Sequence, residues 1–366
     1  MRIRLCSRQG APSPQRMLKI LANIAILLRN NLGMQKRTTI KDLSRLLGVS
    51  PSTVSRALHD HPDIGAALKQ KVRELAAALH YYPNAMASQL RQSDNKTLAL
   101  IIPEITMFFF PSVIEGITQK VREHGYQLMV LQSHENLQQE IENIKTCINL
   151  RVSGIMISLC RDTQQLDHLK EAADMGISIV VFDKTVPNNR FPFVGIDDKN
   201  ASHKAVSWLT FQGCTQLLGI FGHPHMSISN QRREGFENAC MQLLPTGGTF
   251  KSVHAYNQED AALQLRNLWP QFKPNGIFCM SDEVLAGVMP TLSKLNGNNG
   301  AACQVIGISD GKLPYLFHEP LHFLQHDGFK IGTATAQCLL NSLQLGGKSS
   351  DLPIIIQETP IVSNQQ

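Results

Sequence analysis

The run Ser50-Pro-Ser-Thr-Val-Ser-Arg56 carries hydroxyls and one guanidinium at spacings that suit the outer face of a short helix. A guanidinium on such a face can form a bidentate pair with a guanine edge, and hydroxyls can hold phosphate oxygens. A second set of candidates stands at the ends of apolar runs: Phe109 and Phe110 after Leu98–Ile102, Asp183 after Ile177–Phe182, Asp282 after Asn275–Met280, and Ser309-Asp310 closing Gln304–Ser309. Carboxylates, a hydroxyl and an aromatic wall are the mixture that a sugar or a nucleoside requires. Each of those carboxylates, taken singly, is also what a helix cap or a solvated loop would show.

Catalytic patterns are missing from the sequence. It contains no GxGxxG, GxSxG or HExxH. Gly346-Gly347-Lys348-Ser349 resembles the end of a phosphate loop, but Ser342 stands where the first glycine must be. His223-Pro-His225 lacks i,i+4 spacing and a third ligand nearby, so it reads as a loop and no metal is expected. The eight cysteines form no CxxC pair and most lie in apolar runs, which predicts buried free thiols and a cytoplasmic location.

The elements that must position these groups follow from periodicity. Thr39 and Asp42 open a capping box, and Ile40, Leu43, Leu46 and Leu47 give one apolar face. Gly48 ends that helix, and Ser50-Pro51 starts a second, to about Leu58, with Val54 and Leu58 inward. A third helix packs Leu68, Val72, Leu75, Ala76 and Leu79 before Tyr81-Tyr82-Pro83 stops it. This is an all-α helix-turn-helix head. A trihelical fold without DNA binding has the same outline.

From Leu98 onward short β-rich runs alternate with amphipathic segments, among them Gln127–Leu131, Gly154–Ser158, Leu217–Phe221 and Ile354–Gln357 as strands. Pro111–His124, Glu135–Leu150, Asn200–Phe211, Gln231–Leu243, Ala261–Trp269 and Asp282–Leu295 read as helices. The alternation predicts an α/β body with two doubly wound, Rossmann-like lobes, whose ligands sit beyond the strands' carboxyl ends.

Charge divides the chain in the same way. Residues 1–35 carry six Lys/Arg and no acid, residues 36–96 carry ten against five, and residues 97–366 carry nineteen against twenty-four. A basic head on a mildly acidic body suits a polyanion partner, although a solvated basic face would read the same. The apolar stretch within Lys19–Arg29 is too short to span a bilayer and precedes no cleavage site, so no membrane partner is expected. Met34 is read as the natural start, with 1–35 an extension that is over-read or disordered.

Thr39 to Leu58, with its Gly-Val-Ser-x-x-Thr-Val-Ser-Arg core, resembles the signature of the lactose-repressor (LacI/GalR) family. The match continues through Tyr82-Pro83-Asn84 and Ala87 to Leu90-Arg91, about 55 contiguous residues, and more loosely over 97–362. The resemblance implies a transcription regulator, in the family's commoner form a repressor, with a helix-turn-helix at 36–83, a hinge and linker at 84–96 and an effector and dimerisation body at 97–366. By the same resemblance Ser52 and Arg56 read bases, while Ser50, Thr53, Ser55 and His59 meet the DNA backbone, with Thr39 also among the DNA-contacting positions. Asn84, Ala87 and Leu90 belong to a hinge helix, Leu90 as a minor-groove wedge. The body is then similar to a periplasmic sugar-binding protein, two lobes joined by three crossovers, and Arg232 matches the family's effector-contacting arginine. Double-stranded DNA bearing a near-palindromic operator, a carbohydrate-like effector and a second copy of the chain are the implied partners.

Departures from the family pattern are visible. Pro51 replaces a base-reading side chain found in some relatives, Gly65 and Leu68 replace Ser and Thr at the third helix, and Met107-Phe108 replace Asn-Pro. Ser309 replaces a frequent aspartate, so the ligand is expected to be less polar than a simple hexose or differently oriented. The C-terminus shows no leucine-rich extension, which argues against a tetramerising tail. A solitary binding protein would need an export signal, and an α/β enzyme would need a catalytic motif.

Overall fold

The computed structural model describes residues 38–81, 95–106, 108–296, 303–345 and 354–365. The chain divides into two compact units, within 1–93 and 94–366. The expected extension (1–35) and residues 84–94 of the expected hinge and linker lie outside the described residues.

In the first unit the Asp42 amide donates to Thr39 Oγ1 at 3.3 Å and the Thr39 amide donates to Asp42 Oδ2 at 2.9 Å. This closed capping box starts α1 (Ile40–Leu47), and Gly48, at φ 68°, ends it in the left-handed region. Ser50 caps α2 (Pro51–Leu58), accepting from the Thr53 amide at 3.1 Å. Gly65 begins α3 (Ala66–Ala78) with no side-chain cap, as the loss of a serine there predicts. Leu43, Val54, Val72 and Leu75 form the core. One expectation needs correction: Leu46 is exposed. Val54 is fully buried together with Ala57, and Leu58 is half-buried against the same core, inward as expected. A small side chain at 57 lets α2 sit close to its neighbours.

The second unit runs β1 (Thr97–Ile102), α4 (Phe109–Glu123), β2 (Gln127–Gln132), α5 (Leu137–Leu150), β3 (Gly154–Ile157), α6 (Asp167–Asp174), β4 (Ser178–Phe182) and β5 (Phe193–Ile196). It continues with α7 (Asp198–Phe211), β6 (Gln216–Phe221), α8 (Ser227–Leu243), β7 (Thr249–His254), α9 (Gln258–Leu268), β8 (Gly276–Cys279) and α10 (Asp282–Asn296). Last come β9 (Gln304–Ser309), β10 (His322–Gln325), α11 (Gly328–Gln344), β11 (Ile354–Gln357) and β12 (Ile361–Ser363).

Two six-stranded sheets result, ordered β11-β5-β4-β3-β1-β2 and β12-β10-β9-β8-β6-β7. All pairings are parallel except β10 with β12. The chain crosses between sheets three times, between residues 196 and 198, 325 and 328, and 357 and 361. In each sheet the order reverses beside the first strand, β1 or β6, which opens a crevice at the strands' carboxyl ends.

The periodicity reading missed α6, α11, β5, β7, β10 and β12. Helix α11 packs on α4 backbone to backbone: a Cβ on Gly332 would lie 2.3 Å from the Val113 carbonyl oxygen, and one on Gly116 2.3 Å from that of Phe329. Such a seam is built from small residues and leaves a weak apolar stripe. The seven described cysteines are free, six of them buried, and burial pushes the Cys147 and Cys240 thiols up to about 12. No helix among the described residues is long and apolar enough to cross a membrane.

Candidate functional site

The carboxyl ends of both sheets face one cleft of about 190 Å³. All seven residues expected there from sequence, Phe109, Phe110, Asp183, Arg232, Asp282, Ser309 and Asp310, line it. They come from both lobes.

Asp183 follows β4 and holds a left-handed φ of 63°, an unusual conformation for a residue with a side chain. Its amide donates to the Val194 oxygen at 2.9 Å, and its carboxylate accepts from Ser158 Oγ at 2.9 Å. Burial pushes this carboxyl up, against the opposing pull of Lys184, Ser158 and Arg232. Arg232 on α8 is buried; its Nε donates to Asp198 Oδ1 at 2.7 Å and its Nη1 to the Met280 oxygen at 2.6 Å. Burial pushes Asp198 up to about 6 even with that guanidinium beside it.

Asp282 at the start of α10 accepts from Ser309 Oγ at 2.5 Å and from the Asp310 amide at 3.0 Å. Burial pushes it up to about 7. Asp310 uses one oxygen for Ser112 Oγ at 2.6 Å and the other for the Gly328 amide at 2.8 Å. Its carboxylate therefore joins the lobes as well as bordering the cleft. Phe109 stacks on His326 with centroids 4.2 Å apart, whereas Phe110 is buried edge-on against Phe182 and belongs mainly to the core.

Sequence reasoning missed Glu135, Arg161, Lys184, His223, Tyr256 and His326, which also line the cleft. Lys184 Nζ donates to Glu135 Oε1 at 2.8 Å, and the Arg161 amide donates to Glu135 Oε2 at 2.5 Å. Glu135, like His134 before it, has a positive φ. Lys184 adjoins Asp183 and could have been found from that; Glu135 reads from sequence as the first residue of a helix and lies instead in the turn before it, and the others sit on loops without periodicity. The His223 ring lies 4.9 Å from His225 and 5.1 Å from Tyr256. Among the described residues no group of three or more His, Cys, Asp or Glu could hold a metal.

On the head, Ser52, Arg56 and His59 recur at helical spacing on the exposed side of α2, with Ser50 beside them and Thr53 and Ser55 half-buried. Ser50 Oγ lies 2.7 Å from Ser52 Oγ and 2.8 Å from Thr53 Oγ1, and His59 Nδ1 lies 2.8 Å from the Ser55 oxygen. Arg56 is half-exposed, 4.0 Å from Asp63, free to exchange that surface pair for a base edge. Thr39 is exposed at the start of α1. Asn84, Ala87 and Leu90 lie outside the described residues.

Residues 39–84 match the family model for bacterial regulatory proteins of the lacI family, and residues 98–312 match that for a periplasmic binding protein domain. The HTH-type transcriptional repressor PurR of Vibrio cholerae serotype O1 is 25% identical over 314 residues, covering 84% of this chain and 91% of its own. The ribose operon repressor of Bacillus subtilis is 26% identical over 309 residues, covering 84% and 92%. Among solved structures, the lac repressor dimer bound to operator and the anti-inducer ONPF aligns with a TM-score of 0.76 at 18% identity, over 90% of this chain and 98% of that one.

Proposed function

Since the chain belongs to the lacI family of bacterial regulatory proteins, we propose that it answers a polyhydroxylated effector, a sugar or a nucleoside, closed between its lobes. As a member of that family it is a DNA-binding transcription regulator controlled by a small molecule, and not an enzyme. The observation that carries the ligand class is the convergence of Asp183 from one lobe and Arg232 from the other on a single cleft walled by Phe109. A carboxylate that accepts and a guanidinium that donates suit vicinal hydroxyls, and the ring suits the apolar face of a sugar or base.

In this proposal α2 reads one operator half-site through Ser52 and Arg56, while Thr39, Ser50, Thr53, Ser55 and His59 hold the backbone. Residues 84–96, with Asn84, Ala87 and Leu90, form the hinge. A homodimer reads a near-palindromic operator, because each head supplies one recognition helix and twofold protein symmetry maps onto twofold DNA symmetry. Repression in the cytoplasm is the proposed outcome. The effector changes operator affinity only as far as it prefers one lobe arrangement, and DNA must change effector affinity by the same factor. Selection of DNA duplexes by the full-length protein, with and without candidate ligands, tests this reading.

A further inference from the structure

Arg56, the cation on the outer side of α2, has a carboxylate beside it. Its Nη1 lies 4.0 Å from Oδ2 of Asp63, in the turn that leads to α3, with Arg56 half-exposed and Asp63 exposed. That turn is braced. The His61 amide donates to the Arg56 oxygen at 3.0 Å, which folds the turn back onto the end of α2. Asp60 takes a left-handed φ of 58°, uncommon for a residue with a side chain. Lys69 Nζ donates to the Asp60 backbone oxygen at 3.1 Å and Arg73 Nη2 to its Oδ1 at 2.9 Å, so α3 clamps the turn from behind. His61 Nδ1 accepts from the Asp63 amide at 3.4 Å and lies 3.3 Å from Asp63 Oδ2. The Asp63 carboxylate is thereby held next to the guanidinium.

An acid in this place has a cost. DNA is a polyanion, and a carboxylate beside the recognition helix opposes every phosphate that approaches. Asp60 is neutralised by Lys69 and Arg73, whereas Asp63 faces Arg56. In the free protein an exposed pair of this kind contributes little to the fold, so its effect belongs to the complex. A guanidinium carries five N–H donors in a fixed planar fork. One edge can keep the carboxylate while another meets guanine O6 and N7. The exchange of the surface pair for a base edge then need only be partial, and exclusion of water from the interface strengthens what remains of it.

We propose that Asp63 is a positioning residue for base reading, holding one edge of the Arg56 guanidinium so that the other is presented to a guanine. The inference rests on reading Arg56 as a base contact and adds the residue that aims it. An arginine left alone is free to turn to any nearby phosphate, and such contacts carry no sequence information. A carboxylate at its side repels those phosphates and leaves the uncharged base edge as the better partner. Holding the fork in place before DNA arrives also lowers the cost of ordering a long side chain in the complex.

The test compares variants of the full-length protein on the motif that the unmodified protein selects from random duplexes and on an unrelated duplex. The ratio of the two affinities measures specificity. Arg56→Ala is expected to flatten the preference at one base position of each half-site. Asp63→Asn is expected to weaken the preference at that same position and to lower the ratio about three- to tenfold, a part of what a bidentate pair supplies. The same variant should hold unrelated DNA about two- to threefold more tightly, because a negative charge has left the neighbourhood of the phosphates, and this retained binding shows that the head is folded. In an Arg56→Ala background, Asp63→Asn should leave the ratio unchanged. An unchanged ratio in Asp63→Asn, or an equal fall with and without Arg56, overturns the proposal. An unchanged ratio with a lowered Tm would instead make Asp63 a partner of the α3 dipole. If Arg56→Ala loses both duplexes alike, or if no motif is enriched, base reading by Arg56 itself fails and the proposal falls with it.

Discussion

Ser112 Oγ donates to Asp310 Oδ2 at 2.6 Å, and this hydrogen bond crosses between the lobes. Ser112 lies on α4, Asp310 follows β9, and the second Asp310 oxygen holds the amide of Gly328, where α11 re-enters the first lobe. Both side chains are buried, so breaking the bond leaves a carboxylate oxygen short of a donor. Ser112→Ala is expected to cost about 1–3 kcal/mol, or about 2–4 °C in Tm for each kcal/mol, and to alter the size of the effector response. Thermal unfolding checks the first part; an unchanged Tm would mean that the contact does not hold the lobes.

Arg232 serves ligand and fold together, which complicates its simplest mutation. Arg232→Ala strands the buried Asp198 carboxylate and is expected to cost about 3–5 kcal/mol, so a lost response in that variant says little about binding. Arg232→Met combined with Asp198→Asn removes both charges at similar volume. Denaturant unfolding should show most of the stability regained, while operator binding should no longer respond to effector. A double variant that still responds would remove Arg232 from the ligand contacts.

The buried aspartates give the protein a pH signature. Asp282 and Asp198 are pushed up to about 7 and about 6, from an ordinary value of 3.8. Between about pH 4 and 7 these two carboxyls thus hold more protons in the fold than in the unfolded chain. Their stabilising contribution is complete below the ordinary value and is lost as pH rises through the raised ones. His326 acts in the opposite sense: its contribution is complete above the ordinary 6.5 and is lost as pH falls towards about 3. Asp282→Asn isolates one group. Relative to the unmodified protein this variant should gain on the order of 1.4 kcal/mol per pH unit over part of that window. Urea unfolding at acid and mildly alkaline pH measures the gap, and parallel profiles would contradict a charge buried at Asp282.

What was legible in the sequence was whatever one element declares by itself. Thr39 with Asp42, Gly48 and Ser50-Pro51 mark their helix ends through local hydrogen bonds and backbone geometry, and the structure has α1 and α2 between them. Leu98–Ile102 and Ile177–Phe182 announce buried parallel strands as unbroken apolar runs, and the groups at their ends then fall at the cleft. Helix α11 stayed hidden because its contact face is Gly328, Gly332 and Ala336, whose value lies in how near α4 can come. Strand β5 is short, and the Phe193 ring covers Gly195 so closely that a Cβ there would meet it at 2.4 Å. Glu135, Lys184, Asp198 and His326 escaped for a different reason. Each matters through a partner far away in sequence, and no local pattern names that partner.

The most direct test of a regulator that reads DNA and answers a small molecule is selection from a random duplex library by the full-length protein, alone and with ribose, glucose or adenosine. The account predicts that one near-palindromic motif is enriched and that one of these compounds changes its occupancy. Arg56→Ala should then lose about 1–3 kcal/mol on that motif while largely keeping its hold on unrelated DNA. No enriched motif under any condition, or equal loss of specific and nonspecific binding in Arg56→Ala, would contradict it.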